Sequence, residues 1–459
     1  MQLTIDKLIY GGDGLARLPA DEGGRGKSVF VPFVLPLEQV EASIVENRSG
    51  FARAELDRVL TPAPERVEPS CPYFGRCGGC HYQHAGYAAQ LRYKSEILRE
   101  TLRRTAKFEL PQDAIVHSAD PWHYRNRTRM HVRQQPEFAL GYFRHGSHSL
   151  LPVEICPISS PLINRAIAAV WTIGRRKGVV PEALHGLQFF ADHDDSKILI
   201  ELYVRPEGAV GGKSPAASSG ARKPSAETKS IERFTTAIGA LVPELAGVAV
   251  FATSAVEDET RLRAPLTAMH SESSNTIGKK SLVYRVVEED YRVSGGSFFQ
   301  TNRLLIDELV KVTVGSNDGR VALDLYAGAG LFTRKLARTF HQVIAVEASP
   351  HAFDDLRGNV PENVKCISMT TEAFLGQRAA KLSPDLVVVD PPRGGLGERV
   401  TRTLCGMSAS YVIYVSCDPA TLSRDLRLLL ESGFRVEQAH LVDMFPQTYH
   451  METVLHLRR

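Results

Sequence analysis

The sequence predicts a multidomain protein with a small N-terminal β-barrel, a central α+β domain and a C-terminal α/β domain. Its 459 residues exceed what one ordinary core holds, so two to three domains are expected. Short apolar runs broken by glycine-rich turns fill the first part of the chain, whereas apolar runs alternate with helical stretches from about Arg320 onward. We place the domains at residues 1–62, 63–290 and 291–459.

Composition and charge narrow the class of protein. The apolar and charged fractions, 43% and 23%, are those of a globular protein. No stretch approaches the roughly 20 apolar residues of a membrane span, and residues 1–10 alternate like a strand and lack the features of an export signal. We therefore expect a cytoplasmic protein with no membrane partner. The net charge of +3 does not indicate a globally basic nucleic-acid binder, but it allows a local basic patch.

The segments between the terminal domains carry a linker, a helix and an insertion. Prolines at 62, 64 and 69 are typical of a domain linker. Apolar residues recur at helical spacing over residues 87–107, which predicts an amphipathic helix. The segment at about 205–232 is rich in Gly, Pro, Ser, Ala and Lys, so we predict a disordered surface insertion there.

The C-terminal third predicts a parallel sheet with helices on both faces. The predicted strands end in polar residues, and two last apolar runs, 434–444 and 453–457, predict a terminal antiparallel hairpin. This pattern is typical of a Rossmann-like α/β domain. The four predicted parallel strands are 321–325, 343–346, 386–389 and 411–415.

The loop after the first of these strands indicates a nucleoside cofactor. Gly328 and Gly330 allow the backbone to approach a ligand at a helix N-terminus, and Glu347 ends the next strand, where a carboxylate can accept hydrogen bonds from ribose hydroxyls. Thr333 stands where a dinucleotide-binding loop has its third glycine, which favours S-adenosylmethionine over NAD. The alternative is a tight turn without a ligand.

Two further strand ends lie on the same rim. Asp390 begins an Asp-Pro-Pro sequence that resembles the motif of amino-directed base methyltransferases, but Arg393 replaces the stacking aromatic, so we discount that chemistry. Cys417 follows the last parallel strand and precedes a helix whose positive end favours a thiolate. The alternative for Cys417 is a small buried thiol, the interpretation we give to Cys366 and Cys405.

The remaining cysteines form a second candidate site. Seven cysteines without an export signal argue for metal binding or catalysis rather than disulfides. Four thiolates can hold an iron-sulfur cluster or zinc, and spacing alone does not separate the two. The candidate ligands are Cys71, Cys77, Cys80 and Cys156.

A basic and aromatic segment between residues 122 and 148 predicts RNA binding. Arginines neutralise phosphates and aromatic rings stack on unpaired bases. The alternative is a solvated strand face with its aromatics in the core. The predicted RNA contacts are Arg125, Arg127, Arg129 and Arg133.

Together these residues resemble the RNA 5-methyluridine methyltransferase family, whose bacterial members act on large-subunit ribosomal RNA or transfer RNA. The resemblance covers nearly the whole chain: a TRAM-like, oligonucleotide-binding type of barrel, a four-iron four-sulfur cysteine set and the catalytic domain. The segment 297–302 is similar to the family's cofactor-contacting segment, 416–425 to its nucleophile motif and 450–454 to its base motif. The resemblance implies cofactor contacts by Gln300, Tyr326, Gly328, Gly330, Glu347 and Asp390.

The resemblance further implies that Cys417 is the nucleophile and Glu452, taken alone more typical of a surface carboxylate, is the base. It implies 5-methyluridine formation with S-adenosylmethionine, in 23S ribosomal RNA because the transfer-RNA branch best known from enterobacteria lacks the cysteines. Cluster-bearing relatives keep transfer RNA open as the substrate. A 5-methylcytidine enzyme and a non-catalytic iron-sulfur RNA-binding protein are the competing functions. We expect a monomer without an obligate protein partner, in which the helix at 87–108 packs on the catalytic domain.

Overall fold

The N-terminal part of the molecule is a closed five-stranded barrel, as predicted. The computed structural model describes residues 1–18, 26–205, 226–252 and 275–459. Side chains alternate along the first strand, so that Leu3, Ile5 and Leu8 are buried inside the barrel. The strands are β1 (Gln2–Leu8), β2 (Gly14–Arg17), β3 (Ser28–Val31), β4 (Gln39–Asn47) and β5 (Phe51–Thr61). They close in the order β1-β2-β3-β5-β4.

The middle of the chain contains a mixed seven-stranded sheet covered by helices. The side chains of its central strand Ile198–Val204 are buried on both faces, because helices cover one face and the C-terminal part of the chain the other. The elements are β7 (Arg127–Arg133), β8 (Ala139–Phe143), β9 (Leu150–Pro152), α2 (Pro161–Gly174), β10 (Leu184–Ala191), β11 (Ile198–Val204), α3 (Ala226–Leu241), β12 (Leu245–Ala252) and β13 (Asn275–Gly278). The strand order is β13-β12-β11-β10-β7-β8-β9.

The predicted disordered insertion needs a correction at its end. Residues 206–225 lie outside the described residues, but 226–232 form the first turns of α3. Ile231, Phe234 and Ile238 are buried at helical spacing against the central sheet. The polar composition of the segment concealed this apolar stripe, which begins only at Ile231.

The C-terminal part contains an eight-stranded sheet. Five strands are parallel, namely the four predicted ones and Val364–Ser368, and the terminal hairpin adds two antiparallel strands as predicted. The strands are β6 (Ile115–His117), β16 (Gly319–Leu325), β17 (Phe340–Glu347), β18 (Val364–Ser368), β19 (Leu386–Val389), β20 (Tyr411–Ser416), β21 (Arg435–Val442) and β22 (Glu452–Arg458). Their order is β18-β17-β16-β19-β20-β22-β21-β6.

Helices cover both faces of this sheet, and a two-stranded hairpin precedes it. A 3-10 turn, Ala379–Lys381, extends one helix. The hairpin is β14 (Ser281–Val286) and β15 (Glu289–Ser294). The helices are α4 (Ile306–Val314), α5 (Leu331–Leu336), α6 (Pro350–Asn359), α7 (Thr371–Arg378), α8 (Gly397–Gly406) and α9 (Pro419–Glu431).

The helix predicted after the cysteine segment is part of the C-terminal core. It is α1 (Tyr87–Thr101), which continues into a π-helical turn, Leu102–Ala106. Leu98 and Leu102 are fully buried in the same apolar cluster as Leu426. Strand β6 then joins the edge of the C-terminal sheet. Residues 87–117, which follow the cysteine segment, are therefore structurally part of the C-terminal domain. In the described ranges, no helix combines the length and apolarity needed to cross a bilayer.

Candidate active site and cysteine cavity

The end of the C-terminal sheet brings Cys417 and Glu452 side by side. Ser416 of β20 pairs with Thr453 of β22, so the next residue of one strand faces the preceding residue of the other. Residues directly opposite in antiparallel strands have Cα atoms about 4.5–5.5 Å apart. Glu452 is only 2% exposed, and its Oε1 has no hydrogen-bond partner among the described residues. A buried carboxyl oxygen without a partner therefore lies beside a partly buried thiol.

The environment of these two groups favours their protonated forms. Burial raises the pKa of the Cys417 thiol, the carboxyls of Glu452 and Asp390 raise it further, and Arg393 lowers it. Burial, followed by Asp390, raises the pKa of Glu452 well above its ordinary value, and Arg393 opposes this. Together these effects favour the thiol form of Cys417 over the thiolate.

This result corrects the expectation that the following helix makes Cys417 a thiolate. Helix α9 does begin at Pro419, but the Asp418 side chain accepts hydrogen bonds from the amides of Ala420 and Thr421, both at 2.9 Å. The carboxylate of this N-cap residue thus satisfies the helix N-terminus. Desolvation of the thiol outweighs what remains of the helix dipole.

The N-terminal barrel also reaches the segment that carries Cys417. Tyr10, just after β1, donates a hydrogen bond from its hydroxyl to Asp418 Oδ2 at 3.1 Å, and the same hydroxyl lies 3.5 Å from the Cys417 carbonyl oxygen. Its ring packs edge-to-face against Tyr449, with ring centroids 5.4 Å apart. Sequence reasoning did not identify Tyr10, because no local pattern marks a contact between residues 408 positions apart.

The predicted cofactor loop leaves the same rim of the sheet. After β16, Tyr326, Gly328 and Gly330 have φ angles of 67°, 55° and 92°, a left-handed region that favours glycine. Glu347, at the end of β17, accepts hydrogen bonds from the backbone amides of Gly328 at 2.8 Å and Ser349 at 2.6 Å. The structure thus joins the predicted loop to the predicted acid.

Gln300 and Asp390 complete the predicted cofactor set. Asp390 follows β19, beside the end of β16, and its backbone amide donates to the Leu325 carbonyl at 3.4 Å. Gln300 is 6% exposed and belongs to a segment that Ser297 ties to Asp355 of α6 by a hydrogen bond. Helix α6 in turn lies against the loop, where Asn359 donates to the Ala329 carbonyl, and against β17, which carries the acid.

Asp324 is a buried acid that the sequence prediction missed. It is fully buried in β16, where its Oδ2 accepts a hydrogen bond from the Thr333 hydroxyl. Burial raises the pKa of Asp324 to about 7, with a smaller upward effect of Glu347. Burial and Asp324 together raise the pKa of Asp390 to about 7. A single carboxyl inside the otherwise apolar run 321–325 was the signal available in the sequence.

The four predicted ligand cysteines, Cys71, Cys77, Cys80 and Cys156, line one cavity of about 210 Å³. Burial raises the pKa of Cys77 to about 11, and the neighbouring thiols add to this effect. Within residues 1–18, 26–205, 226–252 and 275–459, no three His, Cys, Asp or Glu side chains meet closely enough to hold a single metal ion. The cavity therefore brings together the donor atoms that an iron-sulfur cluster uses, but it is not a closed site for one ion.

The predicted RNA-contacting arginines do not share one surface. Arg127 is 6% exposed because the C-terminal part of the chain covers its face of the central sheet, where its guanidinium donates to the Ser297 carbonyl. The guanidinium also pairs with Glu201 at 3.3 Å and covers the Phe190 ring at 4.3 Å. Its burial argues against a direct phosphate contact. Arg125 and Arg129 line the cysteine cavity, and Arg133 is exposed.

Comparisons of the sequence with known proteins point to RNA methyltransferases. Residues 270–459 match a family model described as tRNA (Uracil-5-)-methyltransferase. An RNA methyltransferase of Aquifex aeolicus is 30% identical over 99% of this chain and 97% of its own length. One of Halalkalibacterium halodurans is 27% identical over 99% of this chain and 96% of its own length.

A solved structure extends the likeness to the fold. The Pyrococcus abyssi tRNA (uracil-54, C5)-methyltransferase, solved in complex with S-adenosyl-L-homocysteine, superposes with a TM-score of 0.72. The superposition covers 100% of both chains at 22% sequence identity. The arrangement of barrel, central sheet and C-terminal sheet is thus that of a solved protein.

Proposed function

Because this chain belongs to the tRNA (uracil-5-)-methyltransferase family, we propose that it transfers the methyl group of S-adenosylmethionine to carbon 5 of a uridine in RNA. The observation that carries the proposal is the β20–β22 register, which places Cys417 beside the buried carboxyl of Glu452. Carbons 6 and 5 of uracil are bonded to each other, so a nucleophile for one and a base for the other must lie side by side.

The glycine loop and its acid are the proposed cofactor site. Glu347 is placed to accept hydrogen bonds from ribose hydroxyls, and Gly328 and Gly330 allow close approach of the backbone. Gln300, Tyr326 and Asp390 are proposed to complete the contacts. S-adenosylmethionine supplies a methyl group on a positively charged sulfur. The buried acids Asp324 and Asp390 favour such a cation nearby.

The two catalytic residues act in sequence on one ring. Cys417 first releases its proton to water. Its thiolate then adds through sulfur to carbon 6 of uracil, and the electron pair of the 5,6 double bond moves into an enolate. Carbon 5 then takes the methyl group as the methyl–sulfur bond breaks, which releases S-adenosylhomocysteine. Glu452 removes the remaining proton from carbon 5, the double bond re-forms and the Cys417 sulfur leaves carbon 6. Glu452 must be ionised to accept this proton, and Arg393, which lowers its pKa, favours that ionised form.

The cysteine cavity is proposed to hold a four-iron four-sulfur cluster rather than zinc. Cluster irons occupy the space between the thiols, so the ligands need not meet at one point as they do around a zinc ion. Arg125 and Arg129 line the cavity and offset the negative charge of four thiolates. These two arginines then support the cluster, and the exposed Arg133 remains the proposed phosphate contact of this strand.

We place 23S ribosomal RNA first as the substrate because the chain carries the four-cysteine cavity. Transfer RNA is the second candidate, and the Pyrococcus abyssi neighbour, which acts on tRNA, favours it. In either RNA the target base must swing out of its stack to reach Cys417.

Nucleoside analysis tests this function. The purified protein is incubated with methyl-labelled S-adenosylmethionine and, in separate reactions, with unmodified 23S ribosomal RNA and transfer RNA. The proposal expects labelled 5-methyluridine, and more of it in the ribosomal reaction. Labelled 5-methylcytidine without 5-methyluridine would overturn the proposed reaction, and label confined to transfer RNA would overturn the choice of substrate.

A further inference from the structure

The loop that leads into Glu452 is fixed by a pair of buried amides. This base loop, residues 443–451, connects β21 to β22. Gln90 of α1 donates from Nε2 to Gln447 Oε1 at 2.9 Å, and the backbone amide of Gln447 donates back to Gln90 Oε1 at 3.0 Å. Gln90 and Gln447 are 1% and 2% exposed, and Gln447 has a φ of 67°, which a non-glycine residue adopts only when its surroundings impose it.

A buried ion pair holds the start of the same loop. Lys94, one helical turn after Gln90, donates to Asp443 Oδ1 at 2.6 Å and to the Phe445 carbonyl at 3.0 Å. The Tyr87 hydroxyl donates to the other Asp443 oxygen at 2.9 Å. The side chains of Lys94 and Asp443 are fully buried. Removing two charges from water costs desolvation free energy that their mutual attraction only partly offsets. Such a pair therefore fixes a geometry more effectively than it adds stability.

The segment after the cysteines closes the loop from the other side. The backbone amides of His81 and Tyr82 both donate to the Gln447 carbonyl, at 2.9 and 3.0 Å. The Tyr124 hydroxyl donates to the Pro446 carbonyl at 3.0 Å. The base loop is thus held by several segments that are distant from it in sequence. It ends one residue before β22, where Glu452 begins the strand.

We propose that Gln90 and Lys94 are positioning residues for proton removal: they hold the base loop so that the Glu452 carboxyl faces carbon 5 of the target uridine. This inference rests on the proposed function. Neither residue lies on the strands that carry Cys417 and the cofactor loop, so loosening the base loop slows the last step and leaves thiol addition and methyl transfer in place. The covalent RNA–protein adduct then accumulates, which a general loss of stability would not produce.

The test compares Gln90→Met with Arg92→Met. Methionine has nearly the volume of glutamine and suits a helix, but it removes both hydrogen bonds to Gln447 and the one to the Ala85 carbonyl. Arg92 lies on the exposed face of the same helix, paired with Glu65. For Gln90→Met we expect turnover to fall by about ten- to a hundredfold, as a misplaced catalytic group produces, with adduct visible on denaturing gels and cofactor binding unchanged. Arg92→Met should match the unaltered protein.

Two further variants keep the outcome decisive. Gln90→Glu retains an acceptor for the backbone amide of Gln447 and should restore part of the turnover. If Gln90→Met does not fold, the adduct level of Gln90→Glu decides the question. Lys94→Met combined with Asp443→Asn removes both buried charges and should also accumulate adduct. Slower turnover without adduct, or unchanged turnover, overturns the positioning role. Glu452→Gln is measured in parallel, and absence of adduct there counts against the proposed function itself.

Discussion

Ser416 and Thr453 face each other as paired residues of β20 and β22, at the point where both strands reach the rim of the sheet. One residue further, Cys417 and Glu452 leave the sheet together. The antiparallel hairpin that ends the chain therefore brings the proposed base to the proposed nucleophile. A one-residue slip in this register would turn Glu452 to the opposite face of the sheet.

Replacing Cys417 tests its proposed role in methyl transfer separately from the binding of S-adenosylmethionine. Cys417→Ala should abolish methylation, because no other described thiol lies at the rim beside Glu452, and it should leave S-adenosylmethionine affinity unchanged, because the glycine loop and Glu347 are intact. Calorimetry and methyl transfer measure the two properties. Cys366→Ala, on the distant edge strand β18 of the same sheet, is the control and should retain activity. Methylation by Cys417→Ala would remove this thiol from the mechanism.

The charges around the thiol predict opposite effects of two substitutions on its reactivity. Glu452 raises the pKa of Cys417 and Arg393 lowers it. Glu452→Gln should therefore increase the rate of Cys417 alkylation by iodoacetamide at pH 8, and Arg393→Gln should decrease it. Each pKa unit changes the thiolate fraction about tenfold, so severalfold changes are expected. Equal rates in the two variants would show that neither charge acts on the sulfur.

The buried acids predict how stability depends on pH. The pKa of Asp324 is raised from 3.8 to about 7, so the folded protein binds a proton that the unfolded chain releases. The contribution of this group to the free energy of unfolding is largest below about pH 4, and it is lost as pH rises through 7. The melting temperature should therefore decline less steeply over this interval in Asp324→Asn. Part of the slope remains, because burial also raises the pKa of Asp390, Glu347 and Glu452. The exposed Asp318 provides a control, and an unchanged slope in Asp324→Asn would contradict the assignment.

The cysteine cavity predicts a structural metal centre. The purified protein should be brown, with near-ultraviolet to visible absorption, and a chelator or Cys77→Ser should bleach it and lower the melting temperature. Cys405→Ser serves as the control, because Cys405 lies on α8, outside the cavity. A colourless protein that contains zinc would overturn the cluster. A bleached protein with an unchanged melting curve would overturn its structural role.

Local patterns in the sequence were enough to predict the rim of the sheet. The strand ends at Glu347 and Asp390, the glycine loop and the terminal hairpin follow from short-range periodicity and turn residues. The contact between Tyr10 and Asp418 and the pair formed by Gln90 and Gln447 do not, because they join residues 408 and 357 positions apart.

Burial explains the remaining differences between expectation and structure. The alternating arginines of β7 suggested an exposed basic face, but Arg127 lies within the sheet, where the distant Glu201 pairs with it. The chemical state of Cys417 likewise depends on how deeply the rim is covered and on which charges face it. Neither property is encoded in the residues next to these positions.

The covalent bond to Cys417 is tested most directly by mass analysis of Glu452→Gln. The variant is incubated with its RNA and S-adenosylmethionine, denatured, and digested with protease and nuclease. We predict that the peptide containing Cys417 carries the mass of a methylated uridine nucleotide, because addition and methyl transfer proceed but proton removal does not. An unmodified Cys417 peptide, recovered from a reaction in which the RNA has become methylated, would contradict the account.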